Sequence, residues 1–251
     1  MGRLEAKVAV ITGSSSGIGR GIAVAFAQEG AKVVVNYPTP AHRPAALDVV
    51  AEIESRGSEA FAVEADVSTE SGSEALVGAA TDRHGCIDIL VNNAGVAHSA
   101  PVEDIPVAEW DRLIAVHLRS VFLMTRLVLP GMYARNYGKI INTVSQLAYK
   151  GAPGFAHYTA AKGAILSFTR SLALEIGARN VNANCVAPGA TLTPMLADVP
   201  VDILEGIRRS IPKGRIADVE DIVPAYVFLA TEESRHFQGQ CLSPNGGDVF
   251  L

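Results

Sequence analysis

The sequence is poor in the features that mark disulfide-bonded, metal-bearing or nucleic-acid-binding proteins. Its 251 residues include three cysteines, Cys86, Cys185 and Cys241, which lie far apart and form no C-x-x-C pair. Neither a disulfide framework nor a structural zinc site is expected, and no metal ligands are predicted. The net charge of −5 argues against a non-specific nucleic-acid binder, which usually carries a basic patch. We expect each cysteine to be a small buried hydrophobic residue.

The sequence also lacks a long apolar run, and no N-terminal leader is expected. No stretch of about 18 residues is free of charge, glycine and proline, so we expect no membrane-spanning helix. The start, MGRLEAKVAVITG, has no apolar region or cleavage site typical of a signal peptide, and we expect a cytoplasmic protein. Hydrophobic residues make up 49% of the chain, which is enough for the core of a large α/β domain.

Short β-branched runs alternate with longer amphipathic stretches along the chain. Strands are predicted at Val8–Ile11, Lys32–Asn36, Glu59–Val63, Ile87–Val91, Lys139–Thr143, Val181–Val186 and Gln240–Ser243, and helices near 17–29, 45–56, 70–83, 107–134, 156–177 and 219–231. This alternation is typical of βαβ units, in which helices cover both faces of a parallel sheet. The prediction is one α/β domain, 1–251, with a doubly wound, seven-stranded sheet of the Rossmann type.

Two proline-rich segments interrupt this rhythm. Asn36–Asp48 contains three prolines and is predicted to be a loop, because proline removes a backbone donor and disfavours helical geometry in the preceding residue. The segment at about 190–215 is longer and lies between the sixth strand and the last helix. Long excursions of this kind are often lids, so a substrate lid is predicted there.

The turn after the first strand, GSSSG, fits two different kinds of site. Gly13-x-Ser15-x-Gly17 matches the nucleophile elbow of serine hydrolases. In a hydrolase this elbow follows a central strand and an oxyanion loop, and the residues before Gly13 supply neither. The alternative is a phosphate cradle, in which glycines let backbone N–H groups approach an anion at a helix N-terminus. The glycines at 13, 17 and 19 favour the cradle.

The spacing TGxxxGIG, from Thr12 to Gly19, resembles the signature of the short-chain dehydrogenase/reductase family. Further motifs follow in the family's order: Asp66-Val67, Asn92-Asn93-Ala94-Gly95, Ser145 with Tyr158 and Lys162 in YTAAK, and Pro188-Gly189 with Thr193. The resemblance runs from Lys7 to Gly247. It implies an enzyme that interconverts a carbonyl and a secondary alcohol by hydride transfer with a nicotinamide cofactor.

The resemblance also implies residue roles. Tyr158 exchanges the proton, Lys162 lowers the pKa of Tyr158 and holds the nicotinamide ribose, and Ser145 hydrogen-bonds the substrate oxygen. His117 replaces an asparagine that supports a water chain in the family, so it is either a proton relay or a neutral packing residue. The hydroxyl of Ser15 is expected to brace the glycine turn or to reach a phosphate. The cofactor is expected to contact Gly13, Ser15, Ser16, Gly17, Ile18, Gly19, Asn36, Tyr37, Asp66, Val67, Asn93, Ala94, Gly95, Tyr158, Lys162, Pro188, Gly189, Thr191 and Thr193.

The choice of cofactor depends on the end of the second strand. An NAD-selective site usually carries an acidic residue there, whereas this chain has Asn36 and Tyr37, which do not repel a 2′-phosphate. NADP(H) is therefore favoured over NAD(H). Ser16 stands where many NADP-using relatives carry a basic residue, and His42 or Arg43 are candidate replacements.

The substrate is less closely defined. The resemblance is strongest to 3-oxoacyl-[acyl-carrier-protein] reductases, but Pro130 and Leu174 stand where it would put carrier-docking arginines. The predicted lid is mostly apolar, with Leu192 and Met195 among its residues, which favours an apolar or mixed substrate. A small ketone, a diketone, a sugar or a steroid are the alternatives.

The resemblance further suggests a homotetramer in which helices 107–134 and 156–177 pack against their copies. The alternative is that their apolar faces belong only to the core. A cofactor-binding protein without turnover is a different class of function, and the complete set of Ser145, Tyr158 and Lys162 argues against it.

Overall fold

Seven parallel strands form one sheet in the computed structural model, which describes residues 2–197 and 199–250. The strands are β1 (Val8–Ile11), β2 (Lys32–Tyr37), β3 (Ala60–Glu64), β4 (Ile89–Asn92), β5 (Gly138–Thr143), β6 (Val181–Val186) and β7 (Cys241–Leu242). The helices are α1 (Gly17–Gln28), α2 (Arg43–Ser55), α3 (Glu70–His84), α4 (Val107–Ile114), α5 (Ser120–Arg135), α6 (Leu147–Lys150), α7 (Ala156–Ile176), α8 (Val201–Ser210) and α9 (Val219–Ala230).

The order of the strands in the sheet indicates where a ligand site lies. Neighbours in the sheet run β3-β2-β1-β4-β5-β6-β7, and each pairing is parallel. The order therefore reverses between β1 and β4. In sheets wound this way, ligands bind beyond the carboxyl ends of the strands at the reversal. The predicted fold class is confirmed.

Two apolar layers cover the two faces of the sheet. One contains Ile22 and Phe26 of α1 with Tyr226 of α9, and the other contains Leu76 of α3 and Met124 of α5. β1 and β4 are buried along their whole length, as expected for strands covered on both faces. The central strands are thereby held rigidly, and the loops at their carboxyl ends start from fixed positions.

The structure corrects the predicted loop at Asn36–Asp48. A 3₁₀ turn at Pro40–His42 leads directly into α2, which begins at Arg43. Pro44 lies in the first turn of α2, where its missing N–H has no partner to lose. Proline here opens a helix rather than preventing one, so the loop prediction is wrong beyond residue 42.

The helix predicted at 107–134 is interrupted. α4 and α5 are joined by a π turn at Ala115–Arg119, which contains His117. The described residues of the predicted lid segment include a 3₁₀ turn at Pro194–Leu196 and the additional helix α8.

By length and composition alone, the helical stretch Val107–Arg135 is able to cross a membrane. Its second half, α5, packs on α3 and on the strands β4 and β5. Met124, Val128 and Met132 of this stretch belong to the apolar layer described above. The absence of a membrane span stays a prediction.

Candidate active site

The turn between β1 and α1 is shaped by glycines and braced from below. Gly13 and Gly17 have φ angles of +62° and +56°, a region that favours glycine. The hydroxyl of Ser14 donates to the carbonyl of Ile11 (2.8 Å) and accepts the N–H of Asn36 (3.0 Å). The Oδ1 atom of Asn36 in turn accepts the N–H of Gly13 at 3.0 Å. The turn is therefore held by fixed hydrogen bonds to β2.

Three residues that were predicted to contact the cofactor, Asn36, Ser15 and Ser16, differ in their surroundings. Asn36 is 1% exposed, and its amide also donates to the carbonyl of Ala65 (2.9 Å). The polar groups of its side chain are therefore occupied by hydrogen bonds within the protein. Ser14, which sequence reasoning passed over, does the bracing that was expected of Ser15. Ser15 is buried, and its hydroxyl takes part in no side-chain hydrogen bond among the described residues. Ser16 is exposed and precedes the first residue of α1.

The N-terminus of α1 fits the pyrophosphate of a dinucleotide. In the described structure no side chain caps this end, and no acidic residue lies in its first turn. Its N–H groups and the positive end of the helix dipole are therefore available to an anion. A Cβ atom on Gly19 would collide with the carbonyl oxygen of Gly13 and lie 2.6 Å from the Asn93 amide nitrogen. The close approach of backbone at this position requires glycine.

The loop after β4 is fastened to this turn. The N–H groups of Asn93 and Ala94 both donate to the hydroxyl of Thr12 at 2.9 Å. The side-chain amide of Asn93 donates to the carbonyls of Thr12 (3.1 Å) and Gly13 (3.2 Å). The first and fourth strand ends thus form one rigid floor. Thr12 appears in the sequence motif, but its function as the joining residue is visible only in the structure.

The remaining predicted cofactor residues lie at the same edge of the sheet. Thr193 lies against Gly17, where an added Cβ would be 3.4 Å from the Thr193 methyl group. The hydroxyl of Thr191 donates to the carbonyl of Gly189 (3.0 Å), which lies just after Pro188. The start of the predicted lid therefore meets the glycine turn.

Asp66 and Val67 follow β3. Val67 is buried, whereas Asp66 is exposed and its carboxylate accepts the hydroxyl of Ser68 at 2.7 Å. The carboxylate is thus oriented at the surface, just beyond the carboxyl end of β3.

Ser145, Tyr158 and Lys162 gather beyond the carboxyl end of β5. Ser145 follows this strand, and its hydroxyl accepts the N–H of Leu147 at 3.2 Å. Tyr158 and Lys162 lie one turn apart on α7, with the ammonium 5.7 Å from the centre of the phenol ring. The ammonium donates to the carbonyl of Thr143 at 2.7 Å. A hydroxyl, a phenol and a buried amine thus surround one position next to the braced floor.

Comparison with known proteins agrees with this geometry. A family model described as Enoyl-(Acyl carrier protein) reductase matches residues 13–248. A 3-oxoacyl-[acyl-carrier-protein] reductase of Synechocystis sp. is 38% identical over 100% of both chains. The chain belongs to the short-chain dehydrogenase/reductase family. It is therefore an oxidoreductase, as the sequence analysis predicted.

Two further relatives of the family show its range. The (2S)-[(R)-hydroxy(phenyl)methyl]succinyl-CoA dehydrogenase subunit BbsD of Thauera aromatica is 35% identical, over 97% of both chains. The crystal structure of a candidate short-chain alcohol dehydrogenase from Sinorhizobium meliloti 1021 superposes with a TM-score of 0.93 at 34% identity, covering 98% of this chain and 97% of the other. The similarity to these relatives thus extends over nearly the whole length of the chain.

Burial controls the electrostatics of this short-chain dehydrogenase/reductase site. Burial raises the pKa of the Tyr158 phenol, and the Ser145 hydroxyl acts in the opposite direction. Burial lowers the pKa of Lys162 to about 7. At neutral pH Lys162 is then charged only part of the time. The charge of Lys162 was expected to lower the pKa of Tyr158, and burial of the phenol outweighs that effect. Lys162 is able to exchange a proton near neutrality.

His117, at the position where the family carries asparagine, is buried within the π turn. Its ring lies edge-on to Tyr158, with centroids 5.3 Å apart, and its Nε2 atom is 2.7 Å from the carbonyl oxygen of Val96. Burial, and then the charge of Lys162, hold the pKa of His117 well below its ordinary value. The imidazole is thus neutral at physiological pH. This favours packing and hydrogen bonding over a relay that itself becomes charged.

Sequence reasoning missed one cluster beside Ser145. The amide of Gln146 and the ammonium of Lys150 both donate to the Asp248 carboxylate, at 2.7 Å and 2.6 Å. These contacts fasten the loop after β5 to the C-terminal segment. Because the partners are far apart in sequence and belong to no common motif, the sequence carries no signal for the contact.

Proposed function

We propose that this chain is an NADP(H)-dependent oxidoreductase that interconverts a carbonyl and a secondary alcohol, with Tyr158 as the general acid and base. The observation that carries this proposal is the convergence of Ser145, Tyr158 and Lys162 at the same sheet edge as the braced glycine turn. A nicotinamide cofactor bound along that edge supplies or accepts the hydride. The glycine turn, Asn93–Gly95 and Pro188–Thr193 are the residues that hold it.

The protein's own groups handle the proton. In the reductive direction, the phenol of Tyr158 donates its proton to the carbonyl oxygen as negative charge develops there. The hydroxyl of Ser145 donates a hydrogen bond to the same oxygen and stabilises that charge. The raised pKa of Tyr158 keeps the phenol protonated, which suits reduction. Lys162 returns a proton to the phenol and has further donors for the nicotinamide ribose.

The preference for NADP(H) rests on the end of β2. Tyr37 occupies this end, and no acid there repels a 2′-phosphate. Thr39 and His42 are exposed just beyond it, with the Thr39 hydroxyl 2.9 Å from the Nδ1 atom of His42. Together with exposed Ser16 and Arg43, they offer polar groups for a 2′-phosphate. NAD(H) is the alternative.

A 3-oxoacyl thioester or a small ketone is the substrate that we favour. The names of two relatives refer to thioester substrates, one carried by an acyl carrier protein and one by coenzyme A. The lid exposes Leu192, Met195 and Ile203, which suits an acyl chain. Pro130 and Leu174 leave the α5 and α7 surface without the docking arginines, which favours a small thioester over a carrier-bound one. An alcohol, sugar or steroid dehydrogenase is the alternative.

A homotetramer is the expected assembly. Phe122 of α5 and Leu174 of α7 are 47% and 84% exposed on neighbouring helices, beside a shallow cavity of about 280 Å³. Apolar side chains this exposed favour a protein contact. Light scattering should give four times the chain mass of 26.3 kDa, and the mass of a single chain would contradict the assembly.

The test of the function is turnover of acetoacetyl-CoA and a panel of ketones and alcohols with NADPH and NADH. Tyr158→Phe should lower kcat by about 10³-fold while the Kd for NADPH stays within about twofold, because the phenol acts on the substrate oxygen. Tyr133→Phe, at a partly buried tyrosine near the C-terminal end of α5, is the matched control and should be neutral. A preference for NADH above about tenfold would contradict the cofactor assignment. No turnover of any carbonyl or alcohol would favour a non-catalytic cofactor-binding protein.

A further inference from the structure

A single helical turn, α6, lies between Ser145 and the loop that leads to Tyr158. It consists of Leu147–Lys150. A helix this short is not stable on its own in water, because too few hydrogen bonds offset the entropy of ordering it. The N–H of Leu147, its first residue, donates to the hydroxyl oxygen of Ser145 at 3.2 Å. The orientation of the Ser145 hydroxyl therefore depends on a turn that other parts of the chain must hold.

One carboxylate, that of Asp248, holds this turn at both ends. Gln146 precedes the turn and Lys150 ends it, four residues later, so their side chains lie on the same face. The amide nitrogen of Gln146 donates to Oδ2 of Asp248 at 2.7 Å, and the ammonium of Lys150 donates to the same oxygen at 2.6 Å. The side chain of Asp248 is 6% exposed and Gln146 is buried, so water competes little for these bonds.

The backbone that carries Asp248 is itself braced. The side-chain amide of Asn245 donates to the carbonyl of Val249 at 2.8 Å, which closes the segment around Asp248. The N–H of Gly189, just after β6, donates to the carbonyl of Pro244 at 3.1 Å and joins this segment to the sheet edge. The carboxylate is therefore presented from a fixed position relative to β6.

The side chain of Gln146 depends on this carboxylate. A carboxylate accepts hydrogen bonds and donates none, so the amide nitrogen of Gln146 faces Asp248 and Oε1 faces away. Oε1 is buried beside Gly189, where an added Cβ atom would be 3.3 Å from it, and no donor in the described part of the chain reaches it. Without Asp248 the whole amide would be buried and unpaired, so the side chain and the turn that follows it would have to move.

We propose that Asp248 is a positioning residue that clamps α6 and thereby aims the Ser145 hydroxyl at the substrate oxygen. This rests on the proposed function, in which Ser145 donates a hydrogen bond to that oxygen. Because the N–H of Leu147 is accepted by the Ser145 oxygen, the hydroxyl hydrogen stays free for the substrate. Asp248 transfers no proton, and its effect on the reaction passes through Ser145.

The kinetic test is a double-mutant cycle between Asp248 and Ser145. Asp248→Leu removes both contacts of the carboxylate and should lower kcat about tenfold, a part of what loss of a whole donor costs, with the Kd for NADPH within about twofold. In a Ser145→Ala background the same substitution should change kcat by less than about twofold, because the hydroxyl that it aims is gone. An equal loss in both backgrounds would make Asp248 a general stabiliser of the fold and overturn the proposal, as would an unchanged kcat in Asp248→Leu.

Two milder variants divide the clamp between its contacts. Asp248→Asn keeps an acceptor for Gln146 and should stay within about threefold of the parent. Lys150→Met removes one of the two bonds and should lower kcat about threefold, again only where Ser145 is present. If Asp248→Leu does not fold, Lys150→Met takes its place in the cycle, and an equal loss with and without the Ser145 hydroxyl contradicts the clamp.

Hydrogen exchange gives a readout that needs no turnover. In Asp248→Leu the amides of α6 should exchange at least about tenfold faster than in the parent, while those of α7 stay within about twofold. Glu52→Leu is the matched control, because the Glu52 carboxylate also accepts from two cations, Arg20 at 2.8 Å and Arg56 at 2.7 Å, but joins α1 to α2. It should leave kcat and exchange in α6 unchanged. Unchanged exchange in α6 of Asp248→Leu overturns the proposal.

Failure of the proposed function has a different signature. A parent protein without turnover, or a fully active Ser145→Ala, contradicts the assigned chemistry and with it the aiming of Ser145, while exchange in α6 still shows whether Asp248 holds the turn. Failure of the present proposal alone leaves the parent active and Ser145→Ala impaired, with Asp248→Leu either neutral or equally harmful in both backgrounds.

Discussion

The proposed cofactor side and the proposed substrate side of this site are built in different ways. On the cofactor side, Thr12, Ser14, Asn36 and Asn93 direct their polar groups at one another and at the backbone of the glycine turn. On the substrate side, the predicted lid exposes about half of several apolar side chains, with Met195 at 51%. One side is closed by internal hydrogen bonds, and the other is open and apolar.

This difference explains which properties a motif is able to specify. The cofactor side depends on a backbone geometry that tolerates few substitutions. Its residues therefore occur at fixed spacings in the sequence. The substrate side depends on the shape and polarity of side chains on a segment that many sequences are able to form. Family membership therefore shows that this chain is an oxidoreductase, whereas the choice of substrate depends on side chains that no motif specifies.

The largest effect is expected where the cofactor side is most crowded. In Gly19→Ala, the new methyl group meets the carbonyl of Gly13 and the Asn93 amide, so the turn must shift. We expect the Kd for NADPH to rise at least about a hundredfold and the free energy of unfolding to fall by about 1–3 kcal/mol. Titration calorimetry and urea unfolding measure the two effects.

Gly78→Ala is the matched control. A Cβ atom at this position in α3 meets nothing within 4 Å, so the helix should gain about 0.5–1 kcal/mol of stability with NADPH affinity unchanged. If the two substitutions weakened NADPH binding equally, the crowding at Gly19 would not be the reason for its glycine.

The next effect concerns Lys162, which lies between the two sides. Its pKa in the folded state is about 7, below the ordinary value of 10.5. Between these values the unfolded chain binds a proton that the folded chain does not, so stability rises with pH; below about pH 7 the full destabilisation is present. The shift corresponds to about 5 kcal/mol of destabilisation. The lost hydrogen bond to the Thr143 carbonyl and the repacking around the new side chain offset part of it. Lys162→Met should therefore raise the free energy of unfolding by about 2 kcal/mol at pH 6–7, and by less as pH approaches 10. It should also lower kcat at least about a hundredfold.

Lys139→Met tests whether this gain is specific. Lys139 is also buried and donates to the Asn182 side chain at 2.8 Å, but its ammonium additionally lies 3.7 Å from the Glu232 carboxylate. Its removal therefore costs an ion pair as well as a hydrogen bond, and among the described residues Lys162 has no such carboxylate partner. We expect lower stability and unchanged activity. Urea unfolding at several pH values separates the two lysines, and a pH-independent gain in Lys162→Met would contradict the assigned pKa.

Most of the fold was predictable because local and long-range signals agree. The predicted ends of the strands lie within two residues of the observed ones, since short apolar runs between more polar segments mark them. The start of α2 at Arg43 was not predictable in the same way. Proline both breaks and opens helices, and the choice depends on where the chain packs after β2.

The candidate site was predictable where a residue type is required by backbone geometry or by spacing on a helix. Gly19 was predictable from the backbone geometry of the turn, and the pair of Tyr158 and Lys162 from their spacing on a helix. The hydrogen bond from Gln146 to Asp248 and the edge-on contact between the rings of His157 and His98 are not, because they join distant segments through side chains with no fixed spacing. Contacts of this type are decided by tertiary packing, which one sequence does not display.

The smallest effect is expected on the open side. Met195 is half-exposed in the predicted lid, so only part of its side chain is available to cover an acyl substrate. Met195→Ser should raise KM about threefold for a 3-oxoacyl thioester, since a fully buried CH₂ is worth about 0.8 kcal/mol and this contact is partial. The Kd for NADPH should stay unchanged, and the increase in KM should grow with acyl chain length. Val201→Ser is the control, because Val201 is 76% exposed on α8. An equal increase in KM for both variants, or none that depends on chain length, would show that the apolar lid does not select the substrate.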